Sequence, residues 1–292
     1  MAERLATYGV WRFAPPPLAA ALESVPVTTG DGCKTSNVLP VLSHCRKSAT
    51  RWTQGQVLWP GLRHSVAAVF NNSMEAVAAD IPWSEKKNVA VWRGGHSGRF
   101  GCKGDGTAGP CQPGTASRAH LASLFHNHPL FDVGFSAKKS GFPDKLCRAP
   151  LTKGEQLAFK VLISVDGNTC SSILSWALST RSVVAMVHPF MSEAPVQFAL
   201  EPWKHFIPFS YDLSDLAINV RWCFDNDADC GQIAEAARQL VARLATDGGF
   251  AREAAVQAGM LRRLLANRRE CGPRARLGEA PPPTLALAQT AR

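Results

Sequence analysis

The chain has 292 residues, of which 46% are apolar and 19% charged, and it contains 23 glycines and 20 prolines. These proportions are ordinary for a globular protein and exclude a collagen-like fibre, a coiled coil and a chain without a folded core. A chain of this length is expected to form about two domains.

The formal net charge of +9 raises the question of nucleic-acid binding. Residues 250–292 contain eight arginines and three glutamates, so this tail carries five of the nine net positive charges. The sequence has no basic stripe interleaved with aromatic residues and no zinc-finger or recognition-helix pattern. A small anionic ligand explains the remaining charge equally well, and nucleic acid is not predicted as a partner.

The hydrophobic pattern predicts no membrane span in this chain, because no window reaches the roughly 18 uninterrupted apolar residues that a membrane helix requires. The first residues include Glu3 and lack an apolar stretch behind a basic start, so they do not resemble a signal peptide. The cellular location stays open on the residues alone.

From Asn88 onward the sequence alternates between strand and helix patterns. Residues 1–87 have short apolar runs and one periodic segment at 65–79, which is typical of a small or incomplete α/β unit. Strands are predicted at 88–92, 130–135, 159–165 and 182–187, with helices at 117–126 and 169–179 and a polar loop at 136–154. A strand, a crossover helix and a second strand imply a parallel sheet.

The C-terminal third predicts mainly helices. A short strand between two prolines is expected within 201–209, followed by a helix that Asp212 caps and that carries Leu213. A second helix begins at 225–229, and a third, rich in arginine, spans about 250–269. Residues 272–292 are proline-bearing and weakly patterned, which predicts disorder.

The predicted strand at 88–92 runs into the segment Arg93-Gly94-Gly95-His96-Ser97-Gly98. Glycines let a backbone approach an anion closely, and the side chains of Arg93 and Ser97 suit phosphate oxygens. The segment is neither a Walker A motif nor a G-x-G-x-x-G fingerprint. On the motif alone, a glycine turn with a structural arginine is the favoured interpretation.

A second turn, Asp166-Gly167-Asn168, separates the strand at 159–165 from the predicted helix, whose first residues include Ser171 and Ser172. A helix N-terminus exposes unsatisfied amides that attract a diphosphate. An Asp-Gly turn followed by hydroxyl caps fits the same residues equally well. Two strand-to-helix turns of one α/β unit are nevertheless expected to face one crevice, where parallel sheets bind ligands.

No metal site is predicted. The acidic run at 225–229 lacks the EF-hand pattern, because Cys230 and Ala236 stand where that loop needs glycine and glutamate, and helix capping explains its charges. His126 and His128 offer two ligands without an evident third, so a solvated loop is favoured.

The nine cysteines form no C-x-x-C pair, which argues against a zinc ribbon and a thioredoxin-like site. Because their number is odd, at least one thiol is free or pairs between chains. Cys102 and Cys111 bracket a glycine-rich loop that a disulfide would close in an oxidising compartment, although unpaired thiols are the favoured interpretation.

Several segments, taken in order, resemble glycosyltransferase family 90, the capsule-associated group that includes protein O-glucosyltransferases and lipopolysaccharide-modifying enzymes. No single segment is specific, but their order and spacing between about 39 and 245 are. The segments begin at Leu39 (LPVLS), Trp92 (WRGGHSG), Asp132 (DVGF), Lys160 (through DGN to the serines at 171 and 172), Ser182 (SVV), Pro202 (PWKHFIP) and Asp212 (DLSDL).

The resemblance implies an α/β fold of the GT-B type, in which a Rossmann-like donor lobe with a parallel sheet is joined to a shortened N-terminal lobe. The implied domains are a partial acceptor-side lobe at 1–87 and a nucleotide-sugar donor lobe at 88–249. An arginine-rich helix at 250–271 and a disordered tail at 272–292 would follow.

The resemblance also implies an inverting, metal-independent transfer of a hexose or pentose from a UDP-sugar to a hydroxyl of a protein or glycan. The UDP-sugar is a co-substrate, and no cofactor is expected. The alternative is a catalytically silent relative that binds a nucleotide or a partner. Members of this group suggest the secretory pathway, in the lumen of the endoplasmic reticulum or Golgi.

The resemblance assigns roles to particular residues. Asp31 resembles the catalytic base, although an Asp-Gly turn fits it as well. Ile173 stands where family members usually carry an arginine, which removes a charge-assisted contact worth roughly 1.5 to 3 kcal/mol. The implied diphosphate site comprises Arg93, Gly94, Gly95, His96, Ser97, Asp166, Gly167, Asn168, Ser171 and Ser172.

Overall fold

The computed structural model describes residues 73–97, 117–139, 143–167, 170–190, 192–193, 197 and 199–244, four short strands between 27 and 58, and positions 255, 258 and 259. Three of the early strands, β1 (Val27–Thr28), β2 (Val41–Ser43) and β4 (Gln56–Leu58), form a parallel sheet in the order β1-β2-β4. Strand β3 (Arg46–Lys47) pairs antiparallel with β9 (Ser192–Glu193).

The centre of the molecule is a five-stranded, fully parallel sheet. Its strands are β5 (Lys87–Gly94), β6 (Phe131–Phe135), β7 (Phe159–Ser164), β8 (Val183–Val187) and β10 (Ile207–Phe209), and they lie in the order β10-β8-β7-β5-β6. The predicted α/β class and parallel sheet are confirmed, and the arrangement is consistent with a Rossmann-like fold. The two-lobed GT-B architecture and the domain boundaries stay predictions.

The described helices flank this sheet. They are a helical segment over 73–78, α1 (Arg118–Phe125), α2 (Lys153–Gln156), α3 (Leu216–Asp225) and α4 (Asp227–Leu244). Short 3-10 turns lie at Trp83–Glu85, Asp144–Leu146, Ser172–Ser175 and Ala177–Ser179. The predicted helices at 117–126 and from 225–229 are confirmed as α1 and α4.

Both faces of the sheet are buried, as expected when helices cover a parallel sheet on two sides. Side chains alternate along each strand, so Ala90 and Trp92 face one core whereas Val91 faces the other. The first core contains Leu121 of α1 and Val220 of α3. The second contains residues of the helical segment 73–78, α4 and the 3-10 turns.

The predicted helix at 169–179 is wrong, because the described part of this segment forms two 3-10 turns. Hydroxyl side chains explain the difference, since they bond nearby carbonyls and compete with helical hydrogen bonds. Ser175 Oγ donates to the carbonyl of Ser172, and Thr180 Oγ1 donates to the carbonyl of Ala177, each at a distance of 2.7 Å. The helix N-terminus expected at the second turn is therefore not formed.

Two boundaries near 210 also differ from the prediction. Strand β10 contains Pro208 instead of lying between the prolines, which is possible because β10 is an edge strand. The next helix begins at Leu216, since Leu213 has a positive φ of 63° that an α-helix excludes. Asp212 Oδ1 instead accepts the amide of Ser214 over 3.0 Å and closes a turn.

Cys223 and Cys230 form a disulfide between α3 and α4, Cys170 is also disulfide-bonded, and Cys147 is free. The free thiol agrees with the odd cysteine count. None of the helices in the described part of the chain combines the length and hydrophobicity needed to cross a bilayer. Cys102, Cys111, the periodic residues before 73, the helix at 250–269 apart from three positions, and the tail at 272–292 lie outside the described residues.

Candidate functional site

The candidate site lies where strands β5 and β7 end. These two strands are neighbours and parallel, so their carboxyl ends meet at the same edge of the sheet. The turn after β5 contains Gly95, His96 and Ser97, and the turn after β7 contains Asp166 and Gly167. This edge is where open parallel sheets usually bind ligands.

The two turns are in direct contact. A Cβ atom added to Gly167 would lie only 2.7 Å from Ser97 Oγ, closer than real Cβ contacts allow. A side chain at 167 would therefore have to displace the Ser97 hydroxyl, which shows how closely the two turns approach each other. The structure thus brings together two of the segments that the sequence analysis expected to face one crevice.

Arg118, which the sequence analysis missed, joins the two turns. Its Nη1 donates to Ser97 Oγ over 2.8 Å and to the carbonyl of Gly95 over 3.1 Å. Its Nε donates to the carbonyl of Val165, at the start of the second turn, over 3.3 Å. One guanidinium group therefore binds both turns. In the sequence, Arg118 is recognisable only as an arginine after a serine at a predicted helix start. This local pattern does not indicate its distant partners.

Arg93 binds neighbouring parts of the protein. Its Nη2 lies 2.9 Å from both carboxylate oxygens of Asp132 on the adjacent strand β6, and this side chain of Arg93 is only 6% exposed. Its Nη1 donates to the carbonyl of Asp132, and its Nε donates to that of Ala149, both over 2.8 Å. Arg93 thus anchors the end of β5 to β6 and to the chain that follows.

The first turn has two glycines in different surroundings. A Cβ at Gly94 would lie 2.6 Å from the Trp92 ring, whereas a Cβ at Gly95 would meet no described atom within 4 Å. Packing therefore requires glycine at 94 and leaves space beside 95. The ring of His96 stacks on Phe135 with centroids 4.0 Å apart. Burial, followed by the charge of Lys139, lowers the pKa of His96 and favours the neutral imidazole.

The second turn is ordered by its own carboxylate. Asp166 Oδ1 accepts the amide of Ser171 over 2.9 Å, which satisfies one of the amides that the sequence analysis assigned to a ligand. Ser172 is exposed, whereas Ile173 is 9% exposed and packs into the second core. The position where family members usually carry an arginine is thus filled by a core residue.

Two predicted site residues and one small cavity remain to be placed. Asp31 and Asn168 lie outside the described residues. Ser164, Asp166 and the buried Gln197 line a small cavity of about 10 Å³ beside the second turn, which is room for one water molecule.

The described residues contain no cluster of three or more histidine, cysteine, aspartate or glutamate side chains suited to a metal ion. Asp227 of the acidic run binds Lys160 in an ion pair and accepts the indole N–H of Trp83 over 3.2 Å. His128 Nδ1 accepts the amide of Leu130 over 3.2 Å. These groups therefore have structural partners.

Comparison with known proteins decides the family. Residues 23–248, more than three quarters of the chain, match the model of glycosyl transferase family 90. The chain belongs to this family. The match includes both turns, Arg118 and the sheet that carries them.

Relatives with described activities share part of this chain. Protein O-glucosyltransferase 2 of Danio rerio is 26% identical over 220 residues, which cover 70% of this chain and 39% of the relative. O-glucosyltransferase LpsA of Dichelobacter nodosus is 25% identical over 137 residues, covering 47% of this chain and 37% of the relative. Both relatives are named as O-glucosyltransferases.

A viral relative, uncharacterized protein 027R of Frog virus 3, is 27% identical over 251 residues. The alignment covers 78% of this chain and 24% of the relative. The chain thus spans well under half the length of each of these three curated relatives.

Proposed function

We propose that this chain provides the donor-binding part of a glycosyltransferase that moves a hexose or pentose from a UDP-sugar to a hydroxyl of a protein or glycan. The observation that carries the proposal is the contact between the turns after β5 and β7, made by Gly167 and Ser97 in a family 90 chain. The names of the O-glucosyltransferase relatives support transfer to oxygen.

The proposed reaction is a single displacement that inverts the anomeric carbon and needs no metal. A base removes the proton of the acceptor hydroxyl while its oxygen attacks that carbon, and UDP leaves with the electron pair of the broken C–O bond. Asp31 is assigned as the base. Donor groups at the two turns stabilise the charge that develops on the leaving diphosphate.

Within the proposed diphosphate site, the residues are assigned different parts. The backbone from Gly94 to Ser97 and the hydroxyls of Ser171 and Ser172 are proposed to face the phosphates. Gly167, and Asn168 from outside the described residues, are proposed to complete the second turn. Arg93 and Asp166 are proposed to support the site, because Arg93 binds Asp132 and Asp166 accepts the Ser171 amide.

The proposed location is an oxidising compartment of the secretory pathway. The disulfide between Cys223 and Cys230 supports this proposal, since structural disulfides persist where thiols are not kept reduced. The proposed partners are the nucleotide sugar and a protein or glycan acceptor.

The test combines calorimetric titration with UDP and an assay of UDP-sugar hydrolysis. We expect the unmodified protein to bind UDP and hydrolyse the donor slowly, and Asp31→Asn to lower hydrolysis by about 100-fold or more while UDP still binds. Asp229→Asn, an exposed carboxylate of α4, is the matched control and should keep the original rate. Unchanged hydrolysis in Asp31→Asn would remove Asp31 from its role.

A catalytically silent relative is the second candidate, and the apolar, buried Ile173 favours it. This candidate predicts UDP binding without hydrolysis or transfer. Titration of Ile173→Arg, with its melting temperature measured alongside, tests whether the missing charge matters. A folded variant that binds UDP no more tightly would show that position 173 does not touch the diphosphate.

A further inference from the structure

We infer that Arg118 is a positioning residue for the donor diphosphate, because it fixes the spacing between the two turns. This inference rests on the proposed function and adds a residue that the family resemblance did not indicate. It concerns how the two phosphates are held together and leaves the chemistry at the sugar unchanged.

The first step is the set of bonds that Arg118 makes. Its planar guanidinium reaches Ser97 Oγ and the Gly95 carbonyl in one turn and the Val165 carbonyl at the other. Donors at fixed angles in one plane set the relative position of the groups that they bind. The guanidinium carbon also lies 6.0 Å from the centre of the Trp92 ring, at the end of β5.

The second step is that Arg118 is attached to a rigid element. It is the first residue of α1, and the N-cap Ser117 Oγ accepts the amide of His120 over 3.1 Å. Leu121 and Phe125 of α1 are buried in the first core against β6. The backbone of Arg118 is therefore fixed to the same sheet whose strand ends it connects.

The third step is the tight fit at Gly167. A Cβ there would lie 2.7 Å from Ser97 Oγ, 3.0 Å from Arg118 Nη2 and 3.1 Å from its guanidinium carbon. The second turn thus rests against Arg118 and Ser97, and a methyl group at 167 would have to displace their side chains. The distance between the turns is consequently set by these three residues together.

A diphosphate is the ligand most sensitive to this distance. Two linked phosphates can be held by amides and hydroxyls from two turns at once, whereas a single phosphate requires donors from only one. Loss of Arg118 should therefore weaken UDP binding much more than UMP binding. A residue that only stabilised the fold would affect both nucleotides equally.

The experiment measures the affinities of UDP, UMP and inorganic pyrophosphate for the whole chain and for Arg118→Ala and Arg118→Lys. We expect Arg118→Ala to lower the affinity for UDP and for pyrophosphate by at least about tenfold, which is typical of the loss of hydrogen bonds from a charged group. The affinity for UMP should fall by less than about threefold. Arg118→Lys keeps the charge but not the planar bonds, so it should lose most of the same affinity.

Gly167→Ala provides a second variant, which keeps Arg118 but displaces its guanidinium group and the Ser97 hydroxyl from their positions between the turns. It should show the same selective loss for the diphosphate. Arg238→Ala is the matched control, because Arg238 pairs with Glu235 within α4. All variants are compared only where their melting curves show a folded protein at the temperature of the titration.

Equal losses of UDP and UMP, or unchanged UDP affinity in Arg118→Ala and Gly167→Ala, would overturn the inference and leave the proposed function standing. Full UDP affinity in Arg118→Lys would also overturn it, since the charge alone would then suffice. Absence of UDP, UMP and pyrophosphate binding by the unmodified protein would instead overturn the proposed function, and this inference with it.

Discussion

His205 is a buried histidine whose protonation affects the stability of the fold. It is 3% exposed, and its Nδ1 accepts the amide of Glu201 over 3.0 Å. Burial is the main cause that lowers the pKa of His205 below its usual 6.5, and the charge of Lys204 adds to it. The folded protein therefore holds this ring in its neutral form.

The free energy of unfolding should fall as the pH drops below about 6.5, because the unfolded chain then binds more protons than the folded one. The contribution of His205 is complete above the unfolded value of 6.5 and is lost as the pH falls toward the lowered folded value. His96, whose pKa burial also lowers, acts in the same direction. Urea unfolding measured near pH 7 and near pH 5.5 gives the difference.

His205→Asn is the informative variant, since the amide oxygen of asparagine can still accept from Glu201 but does not titrate. We expect a smaller loss of stability between the two pH values than in the unmodified protein. An identical loss in both proteins would show that His205 is not responsible for it.

The sequence indicated some of the important single residues but not their partners. Arg93 stood out because it follows a strand and precedes two glycines, but its partner Asp132 lies on another strand. Arg118 and Ser97 are 21 residues apart, and only the folding of α1 onto the sheet brings them together. Partners of this kind are set by tertiary packing, which no local pattern encodes.

At the scale of elements, the strands were predictable and the short turns were not. The apolar runs at 159–165 and 182–187 contain many β-branched residues, and they form β7 and β8. The segment after Asp166 has apolar residues at helical spacing, but its hydroxyl side chains bind local carbonyls and produce 3-10 turns. The sequence pattern therefore located the second turn correctly and assigned the wrong structure to the residues after it.

The start of α1 provides a prediction at this scale. Ser117→Ala removes the side-chain oxygen that accepts the His120 amide, so the free energy of unfolding should fall by about 1 kcal/mol. Ser117→Asp keeps an acceptor at the N-cap and should retain most of that stability. Chemical unfolding of the three proteins measures both values, and equal stability of Ser117→Ala and the unmodified protein would show that the cap contributes nothing.

At the scale of the molecule, all five strands of the central sheet lie within residues 23–248, the region that matches the family. The aligned region is only part of the larger relatives. The viral protein 027R and protein O-glucosyltransferase 2 extend well beyond the aligned region, since it covers 24% and 39% of them. The proposed function places nucleotide binding at one edge of this sheet, where β5 and β7 end. The donor nucleotide is therefore the component whose binding can be tested most directly.

The disulfide between Cys223 and Cys230 should stabilise the packing of the sheet, because α3 and the start of α4 share the first core and α4 continues into the second. The cysteines are separated by seven positions, and closing so short a loop is expected to contribute about 2 to 3 kcal/mol. The double variant Cys223→Ala/Cys230→Ala should lose this amount in chemical unfolding without reductant. Cys147→Ala, which removes the free thiol, is the control and should change stability by less than about 0.5 kcal/mol. A double variant as stable as the unmodified protein would show that the bond contributes nothing to stability in solution, and the support that this disulfide gives to an oxidising compartment would be lost.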